Sequence, residues 1–215
     1  SLSEEEKKIF DEACQKFYKG KTLLRMEKFY AKTGVEDGWN NINSIEVPPL
    51  REMLEKIDWN YLARGVPSNF HGDLQFDNVL VTRDEISNLQ KFVLLDWRQD
   101  FGGITKHGDL YYDLAKLYGG VLISYQLVKK GDFSFDMSGA SVYYNYVIKN
   151  DLLEAKEEYE SFLIRNGFDL KKIKLLTALI FLNMSPLHND PFDLMLYFMG
   201  KSRLYNALKE LGTYK

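Results

Sequence analysis

Between Leu175 and Met184 the chain runs ten residues without a charge. A helix there has no polar side to turn to water, so other elements must enclose it. The run is about half of the roughly 20 residues a membrane span needs, so the enclosure is expected to be protein. Asp169 stands where it can cap this central helix, and Gly167 ends an amphipathic helix predicted from Asp151 to Asn166. Asp190-Pro191 then opens a last helix, with Pro near the first turn, where its missing N–H costs nothing. A chain of 215 residues can bury such a helix in one core without staples.

The remaining segments supply the wrapping. Ser3 and Glu6 have capping-box spacing, and Ile9, Phe10, Ala13, Phe17 and Tyr18 recur on a helical face. Gly20 is expected to interrupt that pattern before Leu23, Leu24, Phe29 and Tyr30. From Gly34 to Pro49 the composition predicts a loop with a short strand at Ile45 to Val47, and Leu50 to Leu62 is again amphipathic. Val79 to Thr82 and Phe92 to Leu95 read as paired strands joined by the polar segment Arg83 to Lys91, and Phe133 to Met137 with Val142 to Tyr146 as a second hairpin. Asp109 can cap a helix carrying Leu110, Leu114, Leu117 and Tyr118. The fold class expected is α+β and predominantly helical, one domain over 1–215: a helical segment 1–68, a loop and hairpin 69–103, and a helical subdomain 104–215.

Composition closes off several classes. With 45% hydrophobic and 27% charged residues the chain is neither a disordered tail nor a fibre. A net charge of −3 disfavours a general nucleic-acid surface, though a local basic pocket is compatible with it. One cysteine, Cys14, can form neither an intrachain disulfide nor a cysteine zinc site. Glu4, Glu5 and Glu6 stand where a signal peptide would be basic and then apolar. A cytoplasmic protein with no membrane span and no nucleic-acid partner is the expectation.

The chemistry concentrates in one block. His71-Gly72-Asp73 through Asn78 has the spacing H-x-D-x-x-x-x-N, directly before the first strand of the middle hairpin. In phosphoryl transfer this pattern pairs a base, here Asp73, with a magnesium ligand, here Asn78. The second strand ends in Leu95-Asp96, which puts another hard oxygen donor at the mouth of the hairpin, the kind magnesium prefers. Asp73 and Asp96 would repel each other without metal, raising one pKa. Asp113 shares the apolar stripe of its helix; it either faces inward, with donors from the 71–73 loop or His71, or is a first-turn carboxylate favoured by the helix dipole. Each of these carboxylates could instead be an ordinary cap or turn residue.

His71-Gly72-Asp73…Asn78, Leu94-Leu95-Asp96-Trp97 and Gly108-Asp109-Leu110-Tyr111-Tyr112-Asp113-Leu114-Ala115 resemble, in that order and with similar gaps, the aminoglycoside phosphotransferase and choline kinase family. The likeness covers about residues 69–118; Asn183 to His188 is also similar to a late segment of bacterial members tied to cell-surface sugar and choline metabolism. The resemblance implies the large, C-terminal lobe of a protein-kinase-like fold. It makes Asp73 the catalytic base, Asn78 and Asp96 ligands of Mg2+, and ATP the co-substrate, with His71, Asp109 and Asp113 bracing the loop. The partner implied is a small molecule with a hydroxyl: a sugar, choline-like or aminoglycoside-like metabolite.

Two departures shape the expectation. Gln75 replaces a residue that is His in many members and Lys in Ser/Thr protein kinases, which disfavours protein substrates. Arg98 stands where aminoglycoside kinases often carry a carboxylate, which favours a neutral or anionic acceptor. Gln75, Trp97, Arg98 and His188 are the candidate substrate contacts, His188 having a purely structural role as its alternative. The family's small β-rich nucleotide lobe is expected to be absent, since only 70 residues precede His71 and they read as helices; a separate N-terminal lobe or partner chain would then supply it. The alternative is a catalytically impaired lobe that binds a ligand or partner. Gly20-Lys21-Thr22 and Asp100-Phe101-Gly102 mimic a P-loop and a kinase D-F-G, but neither has the required context.

Overall fold

The uncharged run lies at the centre. In a computed structural model describing residues 2–84 and 87–214, the helix from Leu170 to Met184 buries Ile173, Leu175, Leu176, Ala178, Leu179, Ile180, Phe181 and Leu182 on all sides. Asp169 caps it by accepting the Lys172 N–H at 3.2 Å.

In chain order, α1 (Glu4–Gln15) opens with the expected capping box of Ser3 and Glu6. It does not stop at Gly20: a wide π turn, Lys16–Gly20, carries it into α2 (Lys21–Thr33). The extra residue in that turn rotates the face of α2 relative to α1, and Leu23 and Leu24, expected inside, are exposed. Phe17 and Tyr18 are buried as expected, whereas Ile9 on α1 is exposed. β1 (Asn40–Ile42) and β2 (Ile45–Val47) form a ribbon in the segment read mainly as loop. The single helix expected from Leu50 to Leu62 is two, α3 (Leu50–Glu55) and α4 (Trp59–Ala63), because Asp58 accepts the N–H groups of Asn60 and Tyr61, both at 3.0 Å, and starts the second.

β3 (Pro67–Ser68) precedes the motif loop, and β4 (Val79–Arg83) with β5 (Gln90–Leu94) makes the expected hairpin. Within its connecting segment, Glu85 and Ile86 lie outside the described residues. β6 (Gly108–Asp109) pairs antiparallel with β3 and leads into α5 (Leu110–Leu122), then α6 (Tyr125–Lys129). β7 (Phe133–Ser138) and β8 (Ser141–Tyr146) form the second hairpin, and β1 joins β8 in parallel, giving a four-stranded sheet in the order β2-β1-β8-β7. α7 (Asn150–Arg165), the central helix α8 (Leu170–Met184) and α9 (Phe192–Glu210) complete the fold. α5, α9 and α2 pack directly on α8. The molecule is thus a mixed α+β fold, predominantly helical, with small irregular sheets. Among the described residues no helix is long and apolar enough to cross a membrane.

Candidate functional site

The two-residue pairing of β3 with β6 sets the site, because it clamps the residues before His71 against the start of α5. Asp109 is fully buried there. Its Oδ1 accepts the N–H of Val66 at 2.8 Å and of Tyr111 at 3.1 Å, and its Oδ2 the Tyr18 hydroxyl at 2.6 Å. One carboxylate therefore caps α5, holds the strand before the motif and anchors the π turn. Burial pushes its carboxyl above the usual range, and these donors with Lys172 only partly offset that.

Asp113, one turn along α5, faces inward. Its Oδ2 accepts the His71 N–H at 2.6 Å and its Oδ1 the Gly72 N–H at 2.7 Å, a fork on two successive backbone amides. The donors are the backbone of the loop and not the His71 ring. Gly72 holds φ +79°, and a Cβ there would lie 2.6 Å from the Arg98 side chain, so the turn needs glycine on both counts. His71 is buried; its Nδ1 accepts the Asp73 N–H at 3.2 Å, its ring lies 5.0 Å from Trp97, and its carbonyl accepts the Arg98 N–H at 2.8 Å. His71, Asp109 and Asp113 thus all hold the loop's shape.

Asp73 is the residue so positioned. Asn78, at the end of a single 3-10 turn (Phe76–Asn78), donates its amide to the Asp73 carbonyl at 2.9 Å and approaches its Oδ2 at 3.4 Å. From α5, the nearly buried Lys116 reaches Asp73 Oδ1 at 2.6 Å. Burial alone would raise the Asp73 carboxyl, but the Lys116 ammonium, Arg98 and the Asn78 amide outweigh it and hold the group below the usual carboxylate range. The raised carboxyl expected from repulsion between Asp73 and Asp96 is therefore not found at Asp73; a lysine sets its charge. Lys116 is the residue the sequence reading missed. Its signal was present: it lies three residues after Asp113, on the same inward stripe.

Asp96 follows β5. The Leu95 N–H donates to the Asn78 carbonyl at 2.9 Å, so Asp96 lies one residue past that bond, at the hairpin end that carries Asn78. It is exposed and sits at φ +57°, a region Asp tolerates better than most residues. Among the described residues the Asp96 carboxylate and the Asn78 amide oxygen have no hydrogen-bond or ion-pair partner, and no group of three or more His, Cys, Asp or Glu could hold a metal ion. Two free hard oxygens suit magnesium, which is commonly held by one or two protein ligands and completes its shell with water and phosphate.

Asp73 opens onto a cavity of about 290 Å³ that Gln75, Arg98 and His188 also line; Trp97 does not. The Trp97 indole N–H instead donates to the Leu94 carbonyl at 3.1 Å. His188 stacks on Tyr125 with ring centres 6.4 Å apart, and burial with Lys32 and Lys116 nearby lowers its pKa despite Asp193. Of the two mimics, Gly20-Lys21-Thr22 lies inside a continuous helix, and Asp100 accepts the Gly103 N–H at 2.8 Å in an exposed turn. No protein-family model, no curated protein and no solved structure matches the chain.

Proposed function

We propose that this chain is the catalytic lobe of a phosphotransferase that moves the terminal phosphoryl group of ATP to a hydroxyl of a small molecule. The observation that carries the reading is Asp73: an ionised carboxylate on a loop clamped by Asp113, opening onto a cavity, with Asn78 against it. In the reaction the acceptor hydroxyl hydrogen-bonds to Asp73. As its oxygen bonds to phosphorus, the bond from phosphorus to the bridging oxygen breaks and that electron pair leaves with ADP. The hydroxyl proton passes to Asp73 and then to solvent. Phosphoryl transfer runs through a loose transition state, so a base of lowered pKa serves mainly to orient the alcohol. Asn78 and Asp96 would hold magnesium, which when bound supplies neutralisation of the phosphate oxygens.

Residues 2–70 form helices, the β1–β2 ribbon and the two-residue strand β3, so the lysine and lid that a kinase places on the nucleotide phosphates belong, on this reading, to another lobe or partner chain. The β4–β5 hairpin supports that assignment. Leu80, Val81, Phe92 and Val93 are all exposed on it, a surface suited to being covered. Incubating the chain with magnesium and ATP over a panel of alcohols, followed by 31P NMR, tests the proposal. Slow transfer is expected, reduced roughly 100-fold or more by Asp73→Asn. Nucleotide binding measured by calorimetry should weaken in Asp96→Ala. Full activity in Asp73→Asn, or no binding of magnesium–ATP by the wild-type chain, would count against it; the second result would favour an impaired lobe that binds other partners.

A further inference from the structure

The cavity beside Asp73 holds more positive charge than its carboxylates can balance. Lys21 and Arg25 reach it from α2, Arg98 from the segment after β5, Lys116 from α5 and Lys129 from the end of α6. Two carboxylates line it, and both are taken: Asp73 by Lys116 at 2.6 Å and Asp77 by Lys129 at 3.6 Å. Lys21, Arg25 and Arg98 therefore have no ion-pair partner among the described residues.

The arrangement is costly on its own terms. Lys21 and Arg25 are four residues apart on one helix, the spacing at which like charges repel, and both are half-buried. The Lys21 ammonium has only the Tyr112 hydroxyl at 3.4 Å and the faces of Phe17 and Tyr112, at 4.2 and 5.4 Å, to replace water. Burial, with Arg98, Arg25 and Lys116 around it, brings its pKa down to about 7. General basicity does not account for this, because the whole chain carries −3. Two half-buried cations and an exposed arginine facing one cavity match a ligand that brings negative charge.

The position of the cluster says which ligand. Asn78 and Asp96, where the nucleotide's phosphates and magnesium would sit, do not line this cavity. Its other wall is Tyr125, Met184 and His188, flat and largely apolar surfaces suited to a carbon skeleton. We propose that the acceptor is a small alcohol already bearing an anionic group, a phosphate monoester or a carboxylate, which Lys21, Arg25 and Arg98 bind while a free hydroxyl reaches Asp73. This rests on the phosphotransferase reading for the fate of the hydroxyl, but the anion site stands or falls separately.

The test is calorimetric titration of the full chain, at fixed ionic strength, with glycerol 3-phosphate, glycerate, glycerol and choline. One of the two anions should bind at least roughly tenfold more tightly than glycerol or choline, a gap of about 1.4 kcal/mol, and the better of the two identifies the group. Lys21→Gln with Arg25→Gln should remove that preference, and so should Arg98→Gln, whose exposed position keeps the fold out of the comparison. Asp73→Asn, which blocks transfer, should tighten anion binding by deleting a negative charge. Binding should persist with magnesium and a non-hydrolysable ATP analogue present. Equal binding of all four probes overturns the inference, and so does competition between the anion and the analogue, which would assign the cluster to the nucleotide. Transfer to glycerol or choline in preference to glycerol 3-phosphate would overturn it while leaving the phosphotransferase reading intact. Anion binding without any transfer would do the reverse.

Discussion

Lys116 and Asp73 form the pair on which the site's charge depends, with the lysine 8% exposed and the carboxylate 29%. The loop that carries Asp73 was legible in the sequence because its signals are local: a histidine, a glycine able to take positive φ, and two carboxylates at the start of the next helix. Lys116 was not, since a lysine on a helix is ordinarily solvated and only its register with Asp113 marks it as inward. Trp97 shows the converse: its place beside Asp96 suggested a substrate contact, whereas its ring packs on His71. If Lys116 holds Asp73 ionised, it is a positioning residue, and Lys116→Met should let the Asp73 carboxyl rise toward or above its ordinary value. A depressed folded pKa contributes stability above the unfolded value of about 3.9 and loses it as pH falls. The variant should therefore melt a few degrees lower near neutrality, as expected for about 1–2 kcal/mol with one half-exposed partner. Its pH–rate profile should also move its acid limb upward. A drop in melting temperature with an unmoved acid limb would reduce Lys116 to a structural role.

Element boundaries followed local chemistry wherever a single side chain set them. Ser3, Asp109 and Asp169 cap the helices their positions announce, and the β4–β5 and β7–β8 hairpins fall where β-branched runs flank turn residues. Pairings between distant segments left no such trace. The parallel register of Asn41 with Ser141 joins residues a hundred positions apart, and nothing near Asn40 announces it. The close approach of α8 and α9 was equally hidden, although its cause is one residue. A Cβ on Gly200 would lie 2.9 Å from the Leu182 backbone nitrogen and 3.1 Å from the Ala178 carbonyl oxygen. Neither atom can move without shifting the central helix. In an exposed helix Gly→Ala gains about 1 kcal/mol. Gly200→Ala is expected instead to destabilise by about 1–3 kcal/mol, and Gly200→Val by more. Urea unfolding measures both; a stabilised Gly200→Ala would mean that the two helices separate freely.

Across the whole molecule, burial has set lysines and tyrosines against each other, and the balance is visible in stability against pH. Lys21 is lowered to about 7, and Lys172 and Lys201 are lowered too, in each case because burial outweighs their acceptors. Burial pushes Tyr30, Tyr112 and Tyr144 up to about 12. Between a depressed folded lysine pKa and the unfolded value of about 10.4, the unfolded chain binds more protons, so stability rises with pH. Above about pH 10 the unfolded tyrosines ionise while the folded ones do not, so stability falls. Burial holds the Cys14 thiol up as well, so from about pH 8.5, where the unfolded thiol ionises, it opposes the rise. A maximum between about pH 8.5 and 10 follows, with the melting temperature above its value at pH 7. The first part of the rise belongs to Lys21, which faces Arg25 on its own helix, Arg98, and Lys116 and Asp73 across the cavity. Burial lowers His188 from its ordinary value of 6.5, so its folded and unfolded midpoints both lie below that window. Lys21→Met should therefore flatten the curve from about pH 7 to 9 and leave the fall above pH 10 unchanged. Saturating glycerol 3-phosphate should flatten the same limb in the unmodified chain, because a bound anion restores the Lys21 proton. A melting temperature that does not rise from pH 7 to 9, or one that rises equally in Lys21→Met, would show that the cavity's cations are already balanced.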